Sequence, residues 1–159
     1  MVFIASLQVP YLLNIALAVS DYLDSFPAAP KATFALIRKL DHAFSSLLMG
    51  EDSITGEILP GFKSGKSAGL SRTDMVRIKS LVESTRVLIV EVMSKEIEDE
   101  PEEDETGAET DNMSMDLDEN GDDDDDESHH MDIAKVYEDT MMQLGVLLAG
   151  QTAYDAGSG

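Results

Sequence analysis

Residues 116–127 read DLDENGDDDDDE and contain the side chains that a calcium-binding loop requires. The pattern D-x-[DN]-x-[DN]-G-x5-E is matched in full, with Gly121 at the sharp turn. Carboxylate and amide oxygens are the ligands that Ca²⁺ prefers. The segment therefore raises the hypothesis of a calcium-binding protein, whose side-chain ligands would be Asp116, Asp118, Asn120 and Glu127.

Three features of the segment argue against this hypothesis. Asp123 stands at the eighth loop position, where such loops normally have an aliphatic residue. The preceding residues lack an apolar stripe, and the chain contains no second loop with which to pair. A segment built from Asp, Glu, Asn and Gly also matches the pattern easily by chance. We therefore predict no metal site and no cofactor.

Other combinations of reactive residues are equally weak. The stretch GFKSGKS at residues 61–67 has three residues before Gly-Lys-Ser, whereas a phosphate-binding P-loop needs four. The side chains of His129 and His130 would diverge by about 100° on a helix, so they would not converge on one ion. The chain has no cysteine, and His42 has no obvious partner for catalysis. These observations favour a protein that is not an enzyme.

The charge of the chain is concentrated in one segment. The 159 residues have a formal net charge of −21, yet residues 96–132 hold 20 of the 32 acidic residues and none of the 11 Lys and Arg. So dense a charge leaves too little apolar surface for a core, which predicts a disordered acidic loop at residues 96–130. Such a loop attracts cationic proteins, whether histone-like, ribosomal or others. Its densest run of carboxylates consists of Asp122, Asp123, Asp124, Asp125 and Asp126.

Apolar residues outside this loop recur at the 3, 4, 7 spacing of amphipathic helices. Residues 1–95 are expected to form three helices and residues 131–150 a fourth, with a flexible tail at residues 151–159. The fold class is therefore all-α, a bundle of about four helices. The apolar positions expected in the four helices are, in order, Tyr11, Leu12, Ile15, Ala18, Val19 and Tyr22; Phe34, Ile37, Leu40, Phe44, Leu47 and Leu48; Met75, Ile78, Val82, Thr85, Ile89 and Val92; and Ile133, Val136, Tyr137, Met141, Leu144, Leu147 and Leu148.

Local signals place the ends of these helices and the loop between the second and third. Pro10 suits the first turn of the first helix, Gly50 suits the end of the second, and Ser71–Asp74 resembles a capping box before the third. Leu59 and Phe62 are expected to pin the long connection against the helices. The uncharged stretch at residues 2–19 lacks the basic residues of a signal peptide, so a core helix is expected there rather than a targeting segment.

The third helix has apolar residues on the side opposite its core positions. Val76, Val87 and Val90 fall there beside Arg72, Lys79 and Arg86, where a helix packed on one side should be polar. These six residues indicate a partner-binding stripe with cationic flanks. The alternatives are burial under the 50–70 connection and β-branched residues tolerated at the surface.

A local excess of basic residues occurs at residues 63–79, where five basic residues accompany one acid. It lacks interleaved aromatic residues, and the acidic loop would compete for it, so nucleic-acid binding is not favoured. The sequence as a whole predicts an adaptor subunit of a larger assembly, with protein partners and no membrane. Nuclear localisation is expected because basic partners are concentrated in the nucleus, with the cytoplasm as the alternative.

Overall fold

The computed structural model describes residues 5–62, 70–98 and 131–155. Four α-helices lie within this part of the chain: α1 (Ala5–Ser25), α2 (Pro30–Met49), α3 (Arg72–Glu98) and α4 (Glu138–Asp155). The described residues form no strand, and only an isolated bridge joins Glu51 to Ile58. The predicted all-α, four-helix fold is confirmed. The predicted disordered loop lies largely outside the described residues, and its first three positions belong to α3.

The bundle is built from two main helix pairs. α1 packs mainly against α3, and α2 packs mainly against α4, while α3 also contacts α4. The Ser20 and Thr85 hydroxyls lie 3.0 Å apart between α1 and α3. The pKa of Lys95 is raised chiefly by its hydrogen bond to Glu91 and also by Asp24 near the end of α1. Ser20 thus lies beside the middle of α3 and Asp24, one turn later in α1, is nearest to its last turns, so α1 and α3 run in the same direction.

A single apolar core lies between the helices. Its fully buried side chains include Phe44, Ile37 and Leu48 of α2, together with Ile78 and Ile89 of α3. The core positions predicted in α2 are all buried, and those predicted in α3 are buried or half-buried. Burial of such side chains contributes about 1.5 to 3 kcal/mol each, which explains why the spacing of apolar residues controls how these two helices pack.

The ends of α2 and α3 follow the local sequence signals. Gly50 adopts the left-handed conformation, with φ of 77°, and its N–H donates to the Ser46 carbonyl over 2.8 Å. At the start of α3, the Ser71 hydroxyl accepts from the Asp74 N–H over 3.1 Å and donates to the Asp74 carboxylate over 2.7 Å. The predicted caps, Gly50 at the end of α2 and Ser71 at the start of α3, are therefore confirmed. In a full capping box the Asp74 carboxylate would accept from the Ser71 N–H, whereas here it accepts from the Ser71 hydroxyl.

The connection after α2 is held against the bundle by its own turn and by two apolar residues. The Asp52 carboxylate accepts from the Ile54 and Thr55 N–H groups over 2.9 and 2.8 Å. Phe62 is buried and Leu59 is half-buried against the core, as predicted.

Of the six core positions predicted in α1, only Leu12 and Val19 pack against the core, so the predicted orientation of this helix is wrong for the other four. Pro10 lies inside α1 rather than in its first turn, because the helix begins at Ala5. Val9, Ala16 and Leu23 are buried, whereas Tyr11, Ile15 and Tyr22 of the predicted stripe are exposed. Apolar residues occur on two sides of this helix, so their spacing is compatible with either side facing the core. Among the described helices, none combines the length and apolar character that crossing a membrane requires.

Candidate protein-interaction surfaces

The valines of α3 lie on the surface. Val76, Val87 and Val90 are 50%, 69% and 50% exposed. Their exposure excludes burial under the described part of the 50–70 connection, residues 50–62 and 70. The three valines therefore form an exposed apolar feature on the side of α3 opposite its core positions.

The basic residues beside these valines occupy three different environments. Arg72 is exposed at the start of α3. Lys79 lies 3.6 Å from the Glu83 carboxylate, one helical turn further along. Arg86 is half-buried, and its Nη1 donates a hydrogen bond to the Val136 carbonyl over 2.8 Å. Arg86 therefore links α3 to the residues before α4, and the valine stripe has fewer free cationic neighbours than its sequence indicates.

A buried carboxylate at the start of α4 was not identified from the sequence. Asp41 of α2 accepts hydrogen bonds from the Thr140 N–H over 2.8 Å, the Thr140 hydroxyl over 2.6 Å and the Asp139 N–H over 3.3 Å. It thereby caps the first turn of α4 from another helix. Burial raises the pKa of Asp41, opposed by these hydrogen bonds, and nearby Asp139 raises it further.

Tyr137 explains why the last helix begins later than predicted. Residues 131–134 form a helical turn, but Tyr137 has φ of 54° and interrupts the helix before Glu138. Its ring is completely buried and lies 6.3 Å from the ring of Phe44. Burial, together with Asp41, raises the pKa of its phenol above the ordinary range. These contacts are structural in character and stabilise the junction between residue 131 and α4.

The described residues contain no arrangement that nominates a catalytic or metal site. The His42 Nε2 atom lies 3.4 Å from the Asp52 carboxylate, at a partly exposed position beside a turn. Hydrogen bonds from the Thr55 and Ile54 backbone lower the pKa of Asp52 to about 2, with a smaller effect from His42. No cluster of three or more potential metal ligands occurs within the described ranges. The calcium-loop pattern, His129 and His130, and Asp122–Asp126 lie outside them.

A second exposed surface, which was not predicted from the sequence, consists of aromatic residues in α1 and directly after its end. Tyr11, Tyr22 and Phe26 are 72%, 64% and 61% exposed, and the Tyr22 and Phe26 rings lie 5.5 Å apart. The available signal was the presence of apolar residues all around α1, since a helix packed on one side should be polar elsewhere.

Comparison with known proteins identifies one similarity, which extends over nearly the whole bundle. Residues 4–145 match the model of the TFB6 family, described as subunit 11 of the general transcription factor TFIIH. No curated protein and no solved structure matches the chain. The matched range includes α1, α2, α3 and the first eight residues of α4.

Proposed function

Because the chain belongs to the TFB6 family, subunit 11 of the general transcription factor TFIIH, we propose that it is a non-enzymatic adaptor subunit of that assembly. TFIIH is a nuclear transcription factor complex, so family membership supports protein partners and nuclear localisation. The family match over residues 4–145 is the observation that carries this proposal. The exposed apolar side chains of the small bundle also support it, because grouped apolar residues at a surface favour protein contacts.

The valine stripe of α3 is one proposed contact with the assembly. Val76, Val87 and Val90 provide a β-branched surface that loses little side-chain entropy on binding. Arg72 lies at its edge and Lys79 is paired with Glu83, so the matching surface would be apolar and would carry acidic residues near Arg72. Arg86 would act indirectly by fixing α3 relative to the segment before α4.

The acidic segment is proposed to engage basic partners. Residues 96–132 contain 20 acidic residues and no Lys or Arg, and Asp122–Asp126 is their densest run. Attraction between exposed charges is long-ranged at low salt and is screened beyond about 8 Å at physiological ionic strength. The segment would therefore increase the rate of association with cationic regions of proteins, including histone-like or ribosomal ones, more than it would fix a precise geometry.

Binding to purified TFIIH that lacks this subunit tests the proposal directly. The full-length protein is expected to bind stoichiometrically, and Val87→Asp combined with Val90→Asp is expected to weaken binding about tenfold or more. Val146→Asp is a matched control because Val146 is an exposed valine on α4, 67% accessible. Failure of the unmodified protein to bind would refute membership of the assembly, while equal weakening by the control would refute a specific role for α3.

A salt series separates the contribution of the acidic segment. Replacing Asp122–Asp126 with five serines is expected to slow association at low salt and to have little effect at high salt. A protein whose association rate is unchanged by these substitutions at low salt would show that the acidic run does not engage this assembly. Thermal unfolding of each variant establishes that its bundle remains folded.

A further inference from the structure

Exposed apolar residues lie along the outer side of the α1–α2 pair, here called the α1–α2 face. It consists of Tyr11, Ile15, Tyr22, Phe26 and Leu36, which are 72%, 48%, 64%, 61% and 40% exposed. Tyr11, Ile15 and Tyr22 of α1 recur at spacings of 4 and 7, which places them along one side of that helix. Phe26 follows four residues after Tyr22, just past the end of α1. From Tyr11 to Phe26 this side extends for about 23 Å, at 1.5 Å per residue. That length matches about four turns of a second helix.

A groove opens within the α1–α2 face where the two helices meet. It has a volume of about 290 Å³ and lies between Tyr22 and Phe26 on one side and Ala32 and Leu36 on the other, with Leu23 among its lining residues. The Phe26 N–H donates to the Tyr22 carbonyl over 3.0 Å, and the Thr33 N–H donates to the Ala29 carbonyl over 2.9 Å. These backbone hydrogen bonds hold both walls in place. The groove is therefore formed in advance and suits apolar side chains that project from a partner.

Opposite charges lie along the two edges of this face. Asp21 precedes Tyr22 on α1, so its side chain is displaced from the apolar side by about 100°. Lys39 follows Leu36 by three residues on α2, and it is displaced by about 60° from that leucine. Both are exposed, and neither forms an ion pair with another residue in the described part of the chain. A partner that lies along the groove thus meets a carboxylate on one edge and an ammonium group on the other.

We propose that the α1–α2 face binds an amphipathic helix of a TFIIH subunit. That helix carries apolar residues at 3 and 4 spacing, basic residues on the edge toward α1 and acidic residues on the edge toward α2. The proposal rests on the proposed function, since it names a second surface through which the protein joins the assembly. A second copy of this chain is a poorer occupant, because each copy carries a net charge of −21 and like-charged molecules repel each other.

Binding of the full-length protein to TFIIH that lacks this subunit provides the test. Tyr22→Ser combined with Phe26→Ser removes both exposed rings from the aromatic side of the groove, and affinity is expected to fall about thirtyfold, as for aromatic hot-spot residues of an interface. Met142→Ser combined with Val146→Ser is the control, because both residues are exposed on α4 at 59% and 67%. Helical circular dichroism and the melting temperature establish whether each variant is folded. If the aromatic double variant does not fold, the milder Phe26→Leu takes its place.

Charge reversal tests the predicted orientation of the partner helix. Asp21→Lys and Lys39→Glu are each expected to weaken binding several-fold at low salt, with the effect fading as salt rises. Unchanged affinity in both variants would overturn the assignment of the two charged edges. The whole proposal is supported if both charge-reversal variants show weakening that depends on salt and the aromatic variant also loses affinity.

The outcomes distinguish this proposal from the function on which it rests. No binding by the unmodified protein would overturn both, whereas normal binding by the folded aromatic variant would overturn only the role of the α1–α2 face. Sedimentation of the protein alone gives an independent result. A dimer that the aromatic substitutions dissociate would show that the face binds a second copy, and the proposed partner helix would be rejected.

Discussion

At the scale of the single residue, Tyr137 combines a strained backbone with a buried hydroxyl. Its φ of 54° lies in the left-handed region that non-glycine residues rarely occupy. Its hydroxyl has no hydrogen-bond partner among the described residues. The ring remains there because Phe44 and the surrounding core contact it on all sides. The packing of the ring thus outweighs two unfavourable terms at one position.

Removing this hydroxyl is expected to stabilise the protein. Tyr137→Phe keeps the ring and eliminates an unpaired buried polar group, so the free energy of unfolding should rise by about 1 kcal/mol. Urea denaturation measures the change, with Tyr22→Phe as the control because Tyr22 is exposed. A loss of stability in Tyr137→Phe would show that the hydroxyl has a favourable interaction in solution.

Asp41 provides the clearest case of a polar side chain that holds two helices together. Asp41→Ala leaves the Thr140 and Asp139 donors at the start of α4 without their acceptor. Since each unpaired buried donor is costly, the free energy of unfolding should fall by about 2 to 3 kcal/mol. Urea denaturation tests this, and Asp41→Asn should lose less because its amide oxygen can still accept. Equal losses in both variants would show that charge, rather than hydrogen bonding, is essential.

The pH dependence of stability should also report on Asp41. Burial raises its folded-state pKa above the ordinary value of 3.8, so the folded protein binds this proton more tightly than the unfolded chain does. The associated stability is fully present below pH 3.8 and is lost as pH rises through the raised pKa. As pH rises through this window, the unmodified protein should lose stability that Asp41→Asn keeps. The free energy of unfolding of Asp41→Asn, minus that of the unmodified protein, should therefore increase with pH. Urea denaturation at several pH values measures the difference, and a constant difference would contradict the prediction.

At the scale of the elements, Arg86 connects α3 with the segment that leads into α4. Its guanidinium donates to the carbonyl of buried Val136 over 2.8 Å. Arg86→Met keeps much of the apolar stem but removes this bond, so the free energy of unfolding should fall by about 1.5 to 2 kcal/mol. Lys79→Met on the same helix is the control, with an expected change within about 0.5 kcal/mol because Lys79 is exposed. Urea denaturation of both variants provides the comparison, and equal effects would contradict a specific role for Arg86.

The sequence predicts elements best where one side of a helix is apolar and the other polar. In α2, Arg38 and Lys39 oppose Phe34 and Ile37, so the spacing of apolar residues identifies the core side correctly. α1 lacks this contrast, since only the tertiary structure selects Val9 and its neighbours over the exposed aromatic side. The spacing of apolar residues therefore predicts that α1 is a helix, but it does not predict which side of the helix faces the core.

The start of α4 could not be predicted for a different reason. No residue at its beginning acts as the local cap that sequence rules recognise, because the capping carboxylate comes from Asp41, nearly a hundred positions earlier in the chain. The break at Tyr137 likewise depends on its buried environment rather than on a glycine or proline. The α3 valines were found because an apolar residue opposite a core position is a local signal, whereas their binding role stays a prediction.

At the scale of the whole molecule, more than half of the acidic residues lie in one segment between α3 and α4. Residues 99–126 contain 16 acidic residues and no basic ones. Replacing them with a Gly/Ser connector of 15 residues should leave the helical circular dichroism unchanged, and the melting temperature should stay constant or rise slightly as self-repulsion falls. Thermal unfolding at low and high salt measures the effect. Collapse of the fold would show that the acidic residues are part of the folded structure.

The contact between Arg86 and Val136 has a geometric consequence for how short that connection can become. α3 continues twelve residues past Arg86 to Glu98, about 18 Å along its axis, whereas Val136, the sixth residue of the next described segment, lies beside Arg86 itself. An extended chain gains about 3.3 Å per residue, so some six or seven residues suffice to bridge this offset. Residues 99–130 number 32, several times as many as this offset requires. The bundle should thus tolerate large deletions and insertions between α3 and α4. Its stability should fall abruptly only when the connection becomes too short to reach from the end of α3 to residue 131.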